Sequence, residues 1–243
     1  MVACGRQIGS GVGGRRVVDR RAVADEFARL ATELHDVGGV EETADAVVEF
    51  ALHALHCTCA GVLMVSGRHP QVLASTDPRI AKLYHLQVEA DEGPVIAAIR
   101  KESTVVIDDV ATDTRWPAAW IAQARAEDIR TVVHLPLIVG ARVTAVLSLF
   151  SDRPHAFDAD DLAVAHILAR HATVAIANAR QEATMARAID ARKLVGQAMG
   201  ILMERYDLDG GHAFEVLKRY SQQHNRKLRD VAQELIDTRR LPH

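Results

Sequence analysis

From Ala159 to Met203 the chain contains no proline, and Leu162, Ile167, Leu168, Val174, Ile176, Met185 and Ile189 keep it apolar at helical intervals. A continuous helix over this stretch would reach on the order of 70 Å, at about 1.5 Å for each of about 45 residues. So long a helix rarely stands alone in water, so the pattern implies pairing with a second copy. The alternative is two helices meeting near Arg180 to Thr184. Ala175, Ala179, Ala183 and Ala186 make a small-residue seam, suited to close but weak packing. Either way the stretch divides the chain into an N-terminal and a C-terminal part, and 243 residues fit two domains better than one.

The N-terminal part mixes helices and strands. Met1 to Val18 has neither stripe nor alternation and reads as a flexible arm, with residues 1–21 outside any domain. Helical spacing runs from Ala22 to Thr32 and again from about Glu41 to Leu55. Strands are expected at Cys59–Val65 and Gln71–Ser75, then helices at Ile80–Val88 and, after Gly93-Pro94, Val95–Arg100. Three further runs are rich in β-branched residues: Val105–Ile107, Thr131–Leu137 and Arg142–Phe150, the last two joined by a tight turn at Val139-Gly140-Ala141. The expected class is α+β, a mainly antiparallel sheet of about five or six strands packed by helices.

Composition excludes several function classes. Residues are 49% hydrophobic and 25% charged, ordinary for a globular chain; no secretory leader and no run of about twenty apolar residues is evident, so a cytoplasmic location without a membrane is expected. Cys4, Cys57 and Cys59 are odd in number and lack framework spacing. Cys57-Thr58-Cys59 offers a metal or redox pair in principle, but without a second pair it reads as two small buried residues. His134, His155, His166 and His171, with Asp108, Asp109 and Asp113, could supply acid–base or metal chemistry, yet no paired motif, phosphate loop or nucleophile elbow accompanies them. No enzyme, cofactor or metal is expected.

Behind the long stretch come three helical stripes. Leu194, Val195, Ala198, Met199, Ile201 and Leu202 form the first, ending near Tyr206; Asp207 or Asp209 caps the second, marked by Ala213, Val216, Leu217 and Tyr220, with Phe214 on the inward stripe or its edge. The third opens after Asn225 with Leu228, Val231, Ala232, Leu235 and Ile236. Gly196 and Gly200 lie four apart on one helix, which suits a close helix crossing inside the bundle or a contact across a dimer.

These residues carry two family resemblances. Gly196-Gln197-Ala198-Met199-Gly200-Ile201-Leu202-Met203, then Ala213-Phe214, Leu217, Ser221, Lys227-Leu228 and Asp230-Val231-Ala232, resemble an ANTAR domain, the RNA-binding output module of bacterial antiterminators. Asp91-Glu92-Gly93-Pro94, Asp108-Asp109-Val110, Asp113-Thr114-Arg115-Trp116-Pro117, Leu135-Pro136-Leu137 and Ala156-Phe157-Asp158-Ala159-Asp160-Asp161 resemble a GAF domain, a sensory module. The expected layout is a GAF-like domain over 22–178, a helical linker over 179–190 and an ANTAR-like three-helix bundle over 191–243.

Charge favours a polyanion at the C-terminal end. Arg187 to His243 carries eleven Lys and Arg against eight Asp and Glu, a balance of +3 in a chain of net −3. Arg192 and Lys193, Lys218 and Arg219, and Arg226, Lys227 and Arg229 are candidate phosphate contacts. Gln197, Ser221 and Asn225 complete the candidate RNA-binding set, an amide being able to meet an unstacked loop base. A solvated helix surface would give a similar charge count. What the resemblance implies is signal-responsive antitermination: a homodimer binding paired stem-loops in a leader transcript so that a terminator hairpin does not form. A DNA-binding helix-turn-helix regulator and a protein-docking module without nucleic acid remain alternatives. For the sensor, the resemblance places Trp116 and Trp120 on a segment lying over the family's pocket, and Trp116, Trp120 and His134 are candidate contacts to a small-molecule effector.

Overall fold

The computed structural model describes residues 38–55, 57–65 and 70–240. The expected arm over 1–21, the helix at Ala22–Thr32 and Cys4 lie outside them. Element order is α1 (Val40–Leu55), β1 (Cys59–Met64), β2 (Gln71–Ser75), α2 (Pro78–Ala90), α3 (Pro94–Lys101), β3 (Val105–Ile107), α4 (Ala118–Ala126), β4 (Thr131–Val139), β5 (Arg142–Ser151), α5 (Ala159–Tyr206), α6 (Gly210–Gln223) and α7 (Leu228–Thr238). The class is α+β. Two compact units result, one containing Glu41–Ala175 and the other Ile176–His243 together with Gly38–Val40.

In the first unit all strand pairs are antiparallel, in the order β2-β1-β5-β4-β3. The central strands are long and β-branched, and β1 is buried at every position, so both faces of the sheet are covered. Strand alternation gives one face Cys59, Leu63, Val146, Phe150 and Val132, which join a core with Ile80, Leu83 and Tyr84 of α2, Val95 and Ile96 of α3 and Trp120 of α4. Pro136 sits in β4 beyond the three-residue β3, which pairs only with Val132, Val133 and His134, so its missing N–H breaks no bond to that edge. The turn after β4 is tight, with Gly140 at φ 64°.

Helix α4 was not legible in the sequence. Only Trp120 and Ala124 of its nine residues are buried, one turn apart, so its apolar stripe is too narrow to stand out.

Helix α5 runs 48 residues without a break. The alternative of two helices meeting near Arg180 to Thr184 is not what forms: Thr184 Oγ1 bonds Arg180 O at 2.8 Å inside an unbroken helix. No proline or glycine intervenes between Ala159 and Val195 to interrupt it. By length and composition α5 is apolar enough to cross a bilayer. Its most apolar stretch nevertheless buries Ala165, Leu168, Ala172 and Ile176 in the protein and carries Arg170 and His171 between them, the pattern of a helix with one packed face.

The second unit is a three-helix bundle. Ala198 and Leu202 of α5, Ala213 and Leu217 of α6, and Val231, Ala232 and Leu235 of α7 form its core, each at most 1% exposed. Asp207 at φ 51° ends α5, and Asp209 caps α6 by accepting from His212 N at 2.8 Å.

Candidate functional site

In the first unit a polar row crosses the sheet interior. Gly61 of β1, Ser148 of β5 and His134 of β4 are in register across three neighbouring strands, so they share one face. His134 Nδ1 lies 2.7 Å from Ser148 Oγ, and its ring meets Phe150 edge-on at 5.9 Å. Burial alone pushes the His134 pKa down to about 3, so the ring is neutral at ordinary pH. The Tyr84 hydroxyl is directed towards the same Ser148, with no hydrogen bond of proper geometry, and burial pushes its pKa up. Gly61 is what admits it: a Cβ there would sit 3.2 Å from both Tyr84 Oη and Ile80 Cγ2.

Three buried polar atoms on this side have no hydrogen-bond partner among the described residues: Tyr84 Oη, Trp120 Nε1 and His134 Nε2. Such atoms are few in native interiors, and each marks a place where an additional polar group would be stabilised. Of the three candidate effector contacts, His134 and Trp120 are therefore interior, at 0% and 1% exposure. Trp116 is half-buried at the surface instead, where its Nε1 donates to Asp113 Oδ2 at 3.3 Å and the Arg115 guanidinium lies 5.2 Å from its ring centre. Sequence reasoning missed Tyr84, because a tyrosine on a helical stripe reads as packing alone.

Several of the other titratable groups have structural partners. Arg130 forms a fork on Asp109 at 3.0 and 2.9 Å and Arg115 chelates Asp113, which holds both carboxyls below their usual range. His166 Nε2 is 3.0 Å from Thr104 Oγ1. The Cys57 and Cys59 thiols are buried, and desolvation pushes each up to about 12, so neither ionises readily as a nucleophile. Among the described residues, no group of three His, Cys, Asp or Glu side chains could hold a metal.

On the bundle, Arg192, Lys193 and Gln197 stand on α5, Lys218, Arg219 and Ser221 on α6, Asn225, Arg226 and Lys227 in the joint, and Arg229 in the first turn of α7. The joint is fixed by Asn225 at φ 50° and by Ser221 Oγ donating to Arg226 O at 2.6 Å, so Ser221 shapes the turn from below. Lys218 pairs with Glu215 at 3.1 Å, Arg226 with Glu234 at 2.6 Å and Arg229 with Asp230 at 3.1 Å. Arg192, Lys193, Arg219 and Lys227 have no ion-pair partner among the described residues and are the free cations of the set.

Not all of these share one face. A cleft of about 370 Å³ is lined by Arg192, Val195 and Met199 of α5, Phe214 of α6, and Leu228 and Arg229 of α7. Phe214, Lys218 and Ser221 step four and three residues along one flank of α6, whereas Arg219, about 100° round from Lys218, leaves on the other. Gln197 lines a separate cleft with Gly200, Glu204 and Arg239. Phe214, expected on the inward stripe or its edge, is 37% exposed at that edge, because Ala213 and Leu217 already fill the face towards the core.

Gly196 and Gly200 have open space above them, with nothing within 4 Å of an added Cβ. The close crossing inside the bundle that their spacing allowed does not form, since the bundle core lies on the Ala198 and Leu202 side.

This arrangement matches known families at both ends. The GAF domain model matches residues 39–177 and the ANTAR domain model residues 183–236. The chain belongs to the GAF family and carries an ANTAR domain behind its GAF domain. No curated protein matches it. Similar solved structures include the GAF domain of a phosphoenolpyruvate-protein phosphotransferase from Coxiella burnetii, at 17% identity and TM-score 0.55 over 68% of this chain and 99% of that one. A free methionine-R-sulfoxide reductase from Neisseria meningitidis, solved with its substrate, gives 18% identity and TM-score 0.54 over 68% of this chain and 95% of that one. The GAF domain of the Acinetobacter phosphotransferase gives 17% identity and TM-score 0.52 over 65% and 94%. At such identities the likeness is one of fold. A GAF sensor ahead of an ANTAR output is the organisation of a signal-responsive regulator.

Proposed function

We propose that this GAF-ANTAR protein is a cytoplasmic antitermination regulator whose bundle binds paired stem-loops in leader transcripts and so keeps a competing terminator hairpin from forming. The observation that carries the reading is the ANTAR match over 183–236, which falls on a bundle where Arg192, Lys193, Arg219 and Lys227 are free to meet phosphates. An electrophoretic shift tests it. Hairpin RNA should be retarded by the full chain in the presence of excess duplex DNA of matched length, and equal retardation of the duplex would contradict the reading.

The helix-turn-helix alternative is less well supported. Helix α7 would be its recognition helix, yet that helix presents Asp230, Gln233, Glu234 and Asp237, and two of its acids are already engaged with Arg226 and Arg229.

The effector of the GAF domain is a small molecule with at least one hydrogen-bonding group. Support comes from the unpartnered Tyr84 Oη, Trp120 Nε1 and His134 Nε2, which a polar ligand or an ordered water between sheet and helices would satisfy. The working form is a homodimer. Ile167, Val174, Met185 and Ile189 of α5 are 45 to 62% exposed and recur at steps of seven, eleven and four, which keeps them on one side of the helix for a second copy to cover. The role is regulatory, without catalysis by the buried thiols.

A further inference from the structure

We propose that the cleft between Arg192, Phe214 and Arg229 is a base pocket, taking one unpaired nucleobase of an RNA loop by stacking. The proposal deepens the RNA-binding reading and rests on it.

Four features of the cleft point to this occupant. Its interior is apolar, from Val195, Met199, Phe214 and Leu228, and its volume of about 370 Å³ lies in the range of small-molecule pockets, roughly 300–1,000 Å³. Phe214 is the one phenylalanine of the bundle, and it stands 37% exposed although the core of α6 is completed by Ala213 and Leu217. Its ring therefore keeps some apolar surface that folding leaves uncovered.

Gly196 leaves the same cleft uncovered. Nothing lies within 4 Å of an added Cβ, so the glycine serves no close approach inside the bundle, while inside a helix it costs about 1 kcal/mol relative to alanine. A flat ring could come down on that bare backbone; a side chain at 196 would stand in its way.

Charge then selects a nucleotide over an apolar peptide. Arg192 has no anionic partner among the described residues, and Arg229 is held only by an exposed contact to Asp230 at 3.1 Å. Two guanidiniums beside an apolar cleft suit a base flanked by its own phosphates. No carboxylate, amide or hydroxyl side chain lines the cleft, so it grips by stacking and discriminates weakly between bases. The candidate amides Gln197 and Asn225 lie outside it.

The test uses the full chain and an RNA hairpin that the protein itself has selected from a pool with a randomised loop. Phe214→Ala should bind that hairpin roughly five- to a hundredfold more weakly, with unchanged salt dependence and helical content, and Phe214→Trp should restore binding. Gly196→Leu, which fills the cleft from an open helix position, should show the same loss. Replacing loop nucleotides one at a time by an abasic residue should reveal one position whose removal weakens the wild type as much as Phe214→Ala does, but weakens Phe214→Ala no further. Hairpin affinity unaltered in both Phe214→Ala and Gly196→Leu would overturn the base pocket while leaving RNA binding in place. So would a Phe214→Ala protein that dissociates into monomers in sedimentation while each dimer binds normally, which would assign the cleft to a second copy. Failure of the wild type to select any hairpin over duplex DNA would remove the RNA reading itself.

Discussion

His134 of β4 and Ser148 of β5 face each other across the sheet with 2.7 Å between Nδ1 and Oγ, in an interior where His134 has no accessible surface. The imidazole is neutral in the folded state, with a pKa of about 3 against an ordinary 6.5. Between those values the unfolded chain binds the proton that the folded chain refuses, so the contribution of His134 is complete above about pH 6.5 and is lost as pH falls towards 3. Stability should decline by about 1 kcal/mol per pH unit in that window from this group alone. Thermal melts of wild type and His134→Gln from pH 7 to pH 4 check this, and a wild-type slope no steeper than that of the variant would contradict it. The difference between the two proteins isolates His134 from Asp77, Asp109 and Asp113, whose lowered pKa values add a slope at still lower pH.

Gly61 should tolerate a branched side chain poorly. An added Cβ meets Tyr84 Oη and Ile80 Cγ2 at 3.2 Å and the Ala74 carbonyl at 3.3 Å, two of them held by a packed helix and one by the neighbouring strand. Gly61→Val should therefore destabilise the GAF domain by about 1–3 kcal/mol, read from chemical denaturation. Gly140→Asn, at φ 64° in an open turn, is the mild control.

Single charge reversals should separate the two flanks of α6. Arg192→Glu places repulsion beside the Phe214 cleft and should weaken hairpin binding at least tenfold while reducing the salt slope by about one or more. Arg219→Glu, on the opposite flank, should do distinctly less. Fluorescence anisotropy across a potassium chloride series distinguishes the outcomes; equal losses would mean that the interface is not confined to the flank that bears Phe214.

The open glycine strip offers a test of assembly. In the isolated chain, Gly200→Ala adds a methyl group to empty space and should stabilise the helix by up to about 1 kcal/mol. If a second copy packs its helix on the strip, the same substitution should lower the dimer association constant instead. Melting temperature measured at two well-separated protein concentrations reads both effects.

Much of the sensor was readable from pattern because its strands are β-branched runs between clear turns, and Gln71–Ser75 and Val105–Ile107 appear where the sequence placed them. Helix α4 was not, since two buried residues make no stripe. The continuity of α5 lay beyond reach for a different reason: helical spacing is the same in one helix and in two that abut, and only backbone geometry distinguishes them. The site was half legible. Composition identified the cations, but pairing with Glu215, Glu234 and Asp230 depends on which acids the fold brings near, and the exposure of Phe214 depends on how Ala213 and Leu217 fill the core. The Gly61, Ser148 and His134 row joins positions up to 87 residues apart through strand register, and α2 lays Tyr84 against it, which no local pattern reveals.

Sequencing the RNA that copurifies with the full chain from its own cells, alongside an Arg192→Glu, Lys193→Glu double variant, bears most directly on the function. The wild type should enrich leader transcripts that carry two short stem-loops ahead of a terminator, and the double variant should lose that enrichment while remaining folded. Recovery of the same unstructured or abundant RNAs with both proteins would contradict an RNA-binding antiterminator and leave the bundle a docking module for protein.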